Sequence, residues 1–192
     1  MYLGTVSQVT LYEQLFRIDQ ELADRTRAGR CPFCGGPLHV GAYVRKPRGG
    51  PEGIAEDVCV RLSLCCGREG CRRRTLPPSC LFLGRKVYWG AIVLVVVALR
   101  QQRRQSFSAA RLRSLFGVSW ETVRRWMGFF AEVFPVSGLW RRVRGLVPVT
   151  VRDEELPAAL LEAFVEARED EGDGLVGCLE LLARGESDER AS

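Results

Sequence analysis

The sequence predicts an α+β fold, a small cysteine-clipped β-domain followed by a mostly helical one. Three observations carry the prediction. Seven of the eight cysteines lie between Cys31 and Cys80, in a stretch whose glycine and proline turns leave room only for short strands. An unbroken apolar run then extends from Val87 to Leu99, too long for an ordinary strand and well short of the ~20 residues that span a bilayer. Two amphipathic segments, each preceded by a serine suited to capping a helix, flank Gly117.

The five segments of the chain follow from these signals. Residues 1–29 read as one amphipathic helix, because Leu11, Leu15, Ile18 and Leu22 recur at helical spacing and Gly29 ends the pattern. Residues 30–80 form the cysteine-rich β-domain, with a turn-rich stretch from Lys46 to Gly53 and a strand-like piece from Val58 to Leu64. Residues 81–135 are helical. Their first helix is expected over Arg85–Gln102, with a strand as competitor for Val93–Val97 because valine is a poor intrinsic helix former. Ser108 caps the next helix and Ser119 the one after it, which runs from Trp120 to about Val133 and is closed by Pro135. Residues 136–168 read as a basic connector, a Val-Pro-Val strand-like stub and a helix over Ala158–Arg168; residues 169–192 read as an acidic tail of marginal order.

Charge is strongly segregated. The net charge is +5, but residues 31–150 hold 20 basic and 6 acidic residues, a balance of +14, and residues 151–192 hold 4 and 13, a balance of −9. A basic middle points to a polyanionic partner and an acidic tail to a solvated or masking role. The start of the chain has no signal-peptide pattern and the cysteines open as a Cys-Pro-x-Cys-Gly knuckle, so a disulfide scaffold is disfavoured and a cytoplasmic location with reduced thiols is expected.

Four thiolates around Zn²⁺ require two pairs of cysteines on tight turns. Cys31 and Cys34 are the first pair; Cys66 and Cys71 are the expected second, with Cys65 the rival of Cys66. His39, the only histidine, is an alternative fourth ligand. The expected result is a zinc-ribbon-like site whose four positions are filled by sulfur, a scaffold rather than a catalytic metal. Cys59, Cys80 and Cys178 have no place in the pattern.

The helices on either side of Gly117 to Ser119 fit a helix-turn-helix, in which the first helix braces the second against a major groove. Trp120, Thr122, Arg124 and Arg125 are its candidate contacts, with Glu121 ambiguous, while Val123, Met127 and Phe130 form the packed face and Trp126 is assigned to the core. Arg72, Arg73 and Arg74, directly after the last proposed metal ligand, form a candidate phosphate patch backed by Arg85, Lys86, Arg103 and Arg104. The run Arg141 to Arg144 reads equally as an arm along a nucleic-acid backbone or as a solubilising turn.

The order of these motifs resembles the N-terminal region of several bacterial insertion-sequence transposases. The resemblance spans about residues 30–134: the Cys31 knuckle with Gly35 and Gly36, the Cys66–Cys71 pair followed by arginines, Thr75 to Ser79, the Phe82 to Gly90 lead into a hydrophobic helix, and the helical pair from Ser108 to Trp126. It implies recognition of element-end or related duplex DNA. In such transposases three carboxylates of an RNase H-like domain hold the catalytic metals. The 58 residues after Phe134 leave no room for such a domain, and the adjacent Asp153, Glu154 and Glu155 suit a helix start. The expectation is therefore a zinc-stabilised accessory or regulatory DNA-binding protein that is not an enzyme and has no membrane partner. Alternatives are an RNA-binding or nucleoprotein scaffold component, and a protein-interaction adaptor working through its N-terminal or C-terminal helices.

Overall fold

A computed structural model describes residues 2–83, 87–101 and 107–186. The candidate phosphate contacts Arg85 and Lys86, with Arg103 and Arg104, fall outside the described residues, as do both expected ends of the Arg85–Gln102 helix.

The N-terminal segment is two helices rather than one: α1 (Leu3–Val6) and α2 (Val9–Ala28). They are joined at Ser7 and Gln8, and the Tyr12 hydroxyl pins the junction by donating to the Val6 carbonyl at 2.9 Å. α2 buries Leu11, Tyr12 and Leu15, with Ile18 and Leu22 half-buried on the same core. It also buries an acid, Asp19.

Five short strands follow: β1 (Leu38–Val40), β2 (Tyr43–Val44), β3 (Val60–Arg61), β4 (Leu64–Cys66) and β5 (Arg74–Thr75). They form an antiparallel sheet of order β1-β4-β5 and a separate β2-β3 hairpin. The apolar core of the first sheet is only Leu38 and Leu64 with Cys31 and Cys66. So small a core does not hold a domain together without a clip.

The helical part has a different economy. α3 (Gly90–Gln101) is buried from Gly90 to Leu99, so tertiary burial overrides the β preference of its valines and no strand forms at Val93–Val97. It begins at Gly90, not Arg85; Tyr88 instead makes a parallel bridge with Arg48. α4 (Ala109–Phe116) and α5 (Trp120–Gly128) follow, each capped as expected: the Ser108 and Ser119 hydroxyls accept from the Arg111 and Thr122 amides. After α5 the chain winds as a π-helical turn, Phe129–Val133, that gathers Phe129, Phe130 and Phe134 beside Trp140 of α6 (Gly138–Val143).

The Val-Pro-Val stub is not a strand; residues 144–155 are short 3₁₀ turns and loops. Arg144 donates to the carbonyls of Val147, Pro148 and Val151, and Arg142 donates to that of Gly185. Two of the three arginines in this run thus hold backbone together. Asp153 accepts from the Trp140 indole at 2.9 Å.

The largest correction concerns the C-terminal segment. After α7 (Ala158–Arg168) comes α8 (Glu171–Glu186), whose residues Leu175, Val176, Cys178, Leu179, Leu181 and Leu182 enter the main core. Gly174 is what lets α8 approach: a Cβ there would stand 2.8 Å from the Val165 Cα. Residues 171–186 of the expected acidic tail are therefore a core helix, and removing them to unmask the basic region would take core with it; residues 187–192 fall outside the described residues.

Candidate metal centre and basic surfaces

The four cysteines expected from spacing converge. The sulfurs of Cys31, Cys34, Cys66 and Cys71 lie within 4.8 Å of one another. Cys31 Sγ is 3.8 Å from Cys71 Sγ, and Cys34 Sγ is 3.5 Å from Cys66 Sγ. A tetrahedron of thiolates at ~2.3 Å from zinc has edges of about 3.8 Å, so the spacing fits a four-sulfur site. It is far too wide for disulfides.

Local backbone geometry builds each knuckle. The Gly35 amide donates to the Cys31 carbonyl at 2.8 Å, and the Cys31 amide to the Gly36 carbonyl at 2.9 Å. Gly36 has no substitute: a Cβ would lie 2.9 Å from the Arg68 Cβ and 3.0 Å from Cys66 Sγ. On the second knuckle the Arg68 amide donates to Cys66 Sγ at 3.4 Å, and the Arg68 guanidinium crosses to the Cys34 carbonyl at 3.0 Å. A hydrogen bond donated by the Gly36 backbone N–H draws the Cys34 thiol down to about 7. At Cys66 the Arg68 amide pulls downward, but burial and the neighbouring sulfurs outweigh it and raise the thiol to about 12. Sulfurs crowded this closely do not all ionise on their own; a divalent cation lets them.

Strand alternation separates Cys66 from its rival. Cys65 and Cys66 are neighbours in β4 and so face opposite sides of the sheet. Cys65 is opposite His39 in the register, and its thiol points to the Arg72 carbonyl at 3.5 Å. Neither Cys65 nor His39 belongs to the cluster. Cys80 and Cys178 are buried in the helical core, and Cys59 packs against it half-buried.

Arg72, Arg73 and Arg74 are exposed next to the second knuckle. Arg73 stacks over the Phe33 ring at 4.6 Å and Arg74 over Tyr43 at 5.6 Å. On α5, Arg124 and Arg125 are exposed and Val123 and Trp126 are buried, with Met127 only half-buried; Phe130, also buried, lies in the π-helical turn that follows. Thr122 is buried; its hydroxyl meets Ser119 Oγ and accepts from Arg125 Nη2, both at 3.1 Å. Trp120 is half-buried beneath the Arg100 guanidinium at 5.4 Å. Hydrogen bonding from its own amide and from Ser119 holds the Glu121 carboxyl below its ordinary range, so this acid serves the N-terminus of α5.

One buried polar site was missed in the sequence. Asp19, 2% exposed, accepts from the Ser79 hydroxyl and from the Cys80 amide at 2.6 Å, close to buried Arg61, which donates to the Pro77 carbonyl at 2.7 Å. This network ties α2 to the strap that leads from the β-domain into α3. Burial pushes the Asp19 carboxyl up to about 6, against the pull of Ser79, Cys80 and Arg61. The signal was available: Asp19 lies four residues from Leu15 and three from Leu22, an acid on the apolar stripe.

No helix among the described residues is long and apolar enough to cross a membrane. Comparison of the chain with protein-family models, curated proteins and solved structures finds no match.

Proposed function

We propose that the chain is a zinc-stabilised DNA-binding protein of the accessory or regulatory kind, acting without catalytic chemistry in the cytoplasm. In this reading Cys31, Cys34, Cys66 and Cys71 hold Zn²⁺ as a structural clip, and α5 faces the major groove of duplex DNA. The observation that carries it is the division of α5. Thr122, Val123 and Trp126 are its buried residues, while Arg124 and Arg125 stand exposed next to the capped N-terminal turn. Capped helices held at a three-residue turn place such side chains at base edges or phosphates.

Thr122 then works through Arg125, whose guanidinium it holds, rather than by touching a base. Trp120 braces the turn under Arg100. Arg72, Arg73 and Arg74 supply phosphate contacts from the β-domain, with Arg85 and Lys86 in the same role from sequence alone. The similarity to transposase N-terminal regions rests on the motifs and belongs to this proposal.

The test is a salt titration of duplex binding. Affinity should fall steeply as salt rises, and Arg124→Ala with Arg125→Ala should reduce the logarithmic salt slope by about one per lost phosphate contact. Unchanged affinity in the double variant, with helical circular dichroism intact, overturns the role of α5. Tighter binding to structured RNA than to duplex DNA overturns the choice of partner.

A further inference from the structure

We infer that the first metal knuckle carries a stacking site for an unpaired base of single-stranded DNA, with Phe33 as the platform. This goes beyond the duplex reading, which depends on α5, and adds a second kind of nucleic-acid contact on a separate element.

Phe33 lies between Cys31 and Cys34, in the turn closed by the Gly35 amide on the Cys31 carbonyl and the Cys31 amide on the Gly36 carbonyl. It is 47% exposed, and it belongs to neither of the two core clusters found among the described residues. Single exposed apolar side chains are common and mean little alone. Here the surroundings add content. The Arg73 guanidinium lies 4.6 Å from the ring centroid, so part of the ring is already used as a stacking surface for a planar cation. The Arg68 guanidinium is fixed at the base of the same turn by the Cys34 carbonyl, at 3.0 Å. Arg72 and Arg74 are exposed on either side of Arg73, and Glu69 is the one acid in this second knuckle.

An aromatic ring set among fixed guanidinium groups matches the two demands of a single strand. The π-face takes a base, and the cations take the phosphates on either side of it. Tyr43 repeats the arrangement nearby, with Arg45 and Arg74 each 5.6 Å from its ring. Duplex DNA presents phosphates but no free base face, so it uses the arginines without using Phe33. The four sulfurs make the platform rigid. A metal-closed knuckle keeps Phe33 in place with little ordering cost on binding.

The experiment uses the full, zinc-loaded chain and three probes of about 15 nucleotides: a DNA single strand carrying 2-aminopurine, an RNA strand of the same sequence, and the blunt DNA duplex. Phe33→Ala should weaken binding of the DNA strand by about tenfold and abolish the quenching of 2-aminopurine, with duplex affinity unchanged. Phe33→Trp should restore both. Zinc content and thermal midpoint, read on each variant, separate loss of the platform from loss of the knuckle. Equal single-strand affinity in Phe33→Ala and the parent overturns the inference, and so does tighter binding of the RNA strand than of the DNA strand. A parent that binds the single strand but not the duplex overturns the α5 reading and leaves the Phe33 platform standing.

Discussion

Replacing Cys66 with serine removes one of four sulfurs that lie within 4.8 Å of each other, whereas Cys65→Ser touches a thiol on the opposite face of β4. Zinc assay by atomic emission should therefore find the metal lost from Cys66→Ser and retained in Cys65→Ser. Metal retained in Cys66→Ser would mean that Cys65 or another group ligates. Spacing alone could not make this choice, because Cys65 and Cys66 are adjacent and both exceed, in their separation from Cys71, the tight-knuckle spacing of Cys31 and Cys34. The strand register makes it, since neighbouring side chains alternate. Asp19 makes a second prediction at this scale. Burial raises its carboxyl to about 6, so the folded state holds that proton more tightly than the unfolded chain does. The contribution to stability is full below the unfolded value, near pH 4, and is lost as the pH climbs through about 6, by up to about 3 kcal/mol. Thiolate protonation weakens the metal site in the opposite direction, but it does so equally in Asp19→Asn. Denaturant titrations at several pH values should show that the difference in stability between the parent and Asp19→Asn shifts in favour of Asp19→Asn as the pH rises from 4 to 7. A constant difference contradicts the assignment.

Among the elements, α8 shows why part of the fold was illegible. Its acids and its glycines at 172, 174, 177 and 185 argue against a stable helix from propensity alone. Yet Gly174 is the seat for α7, and Gly185 would place a Cβ 2.8 Å from Leu139 of α6. Close packing is the compensation, and it depends on partners far away in the sequence. Arg142 seals the same contact by donating twice to the Gly185 carbonyl, at 2.7 and 2.9 Å. Truncation after residue 168 should therefore collapse the cooperative thermal transition instead of tightening DNA binding; a truncated chain that melts like the parent would contradict the core placement of α8. Helices α4 and α5 were legible for the converse reason. Their signals are local: a serine cap at each start and Gly117 at φ +61° where α4 ends. Ser119→Ala should cost about 1 kcal/mol or somewhat more in a denaturant titration, through the lost cap and the lost contact with the Thr122 hydroxyl.

At the scale of the whole molecule, two cores of unequal size divide the labour. Among the described residues the helical core extends from Tyr2 to Ala183 and includes Ala91 to Leu99 of α3, while the sheet core of the β-domain is four residues, two of them cysteines of the four-sulfur cluster. Chelation should consequently unfold the β-domain and leave most helical circular dichroism in place, with metal return restoring the protein. Loss of the helical signal in step with the zinc would contradict this division. The Asp19 network with Ser79, Cys80 and Arg61 ties the two parts together, so the helical transition should also shift to a lower temperature when the metal leaves. The composition pointed to a polyanionic partner from the balance of +14 over residues 31–150. The structure divides those charges: Arg142 and Arg144 are spent on backbone carbonyls, and Arg124, Arg125 and Arg72 to Arg74 stand exposed. Selection of random duplexes against excess nonspecific competitor, with zinc content measured on the same sample, tests the central claim most directly. The account predicts a zinc-loaded protein that enriches a defined duplex motif, with the enrichment lost in Arg124→Ala, Arg125→Ala. A folded, zinc-loaded protein that enriches no duplex sequence would contradict it.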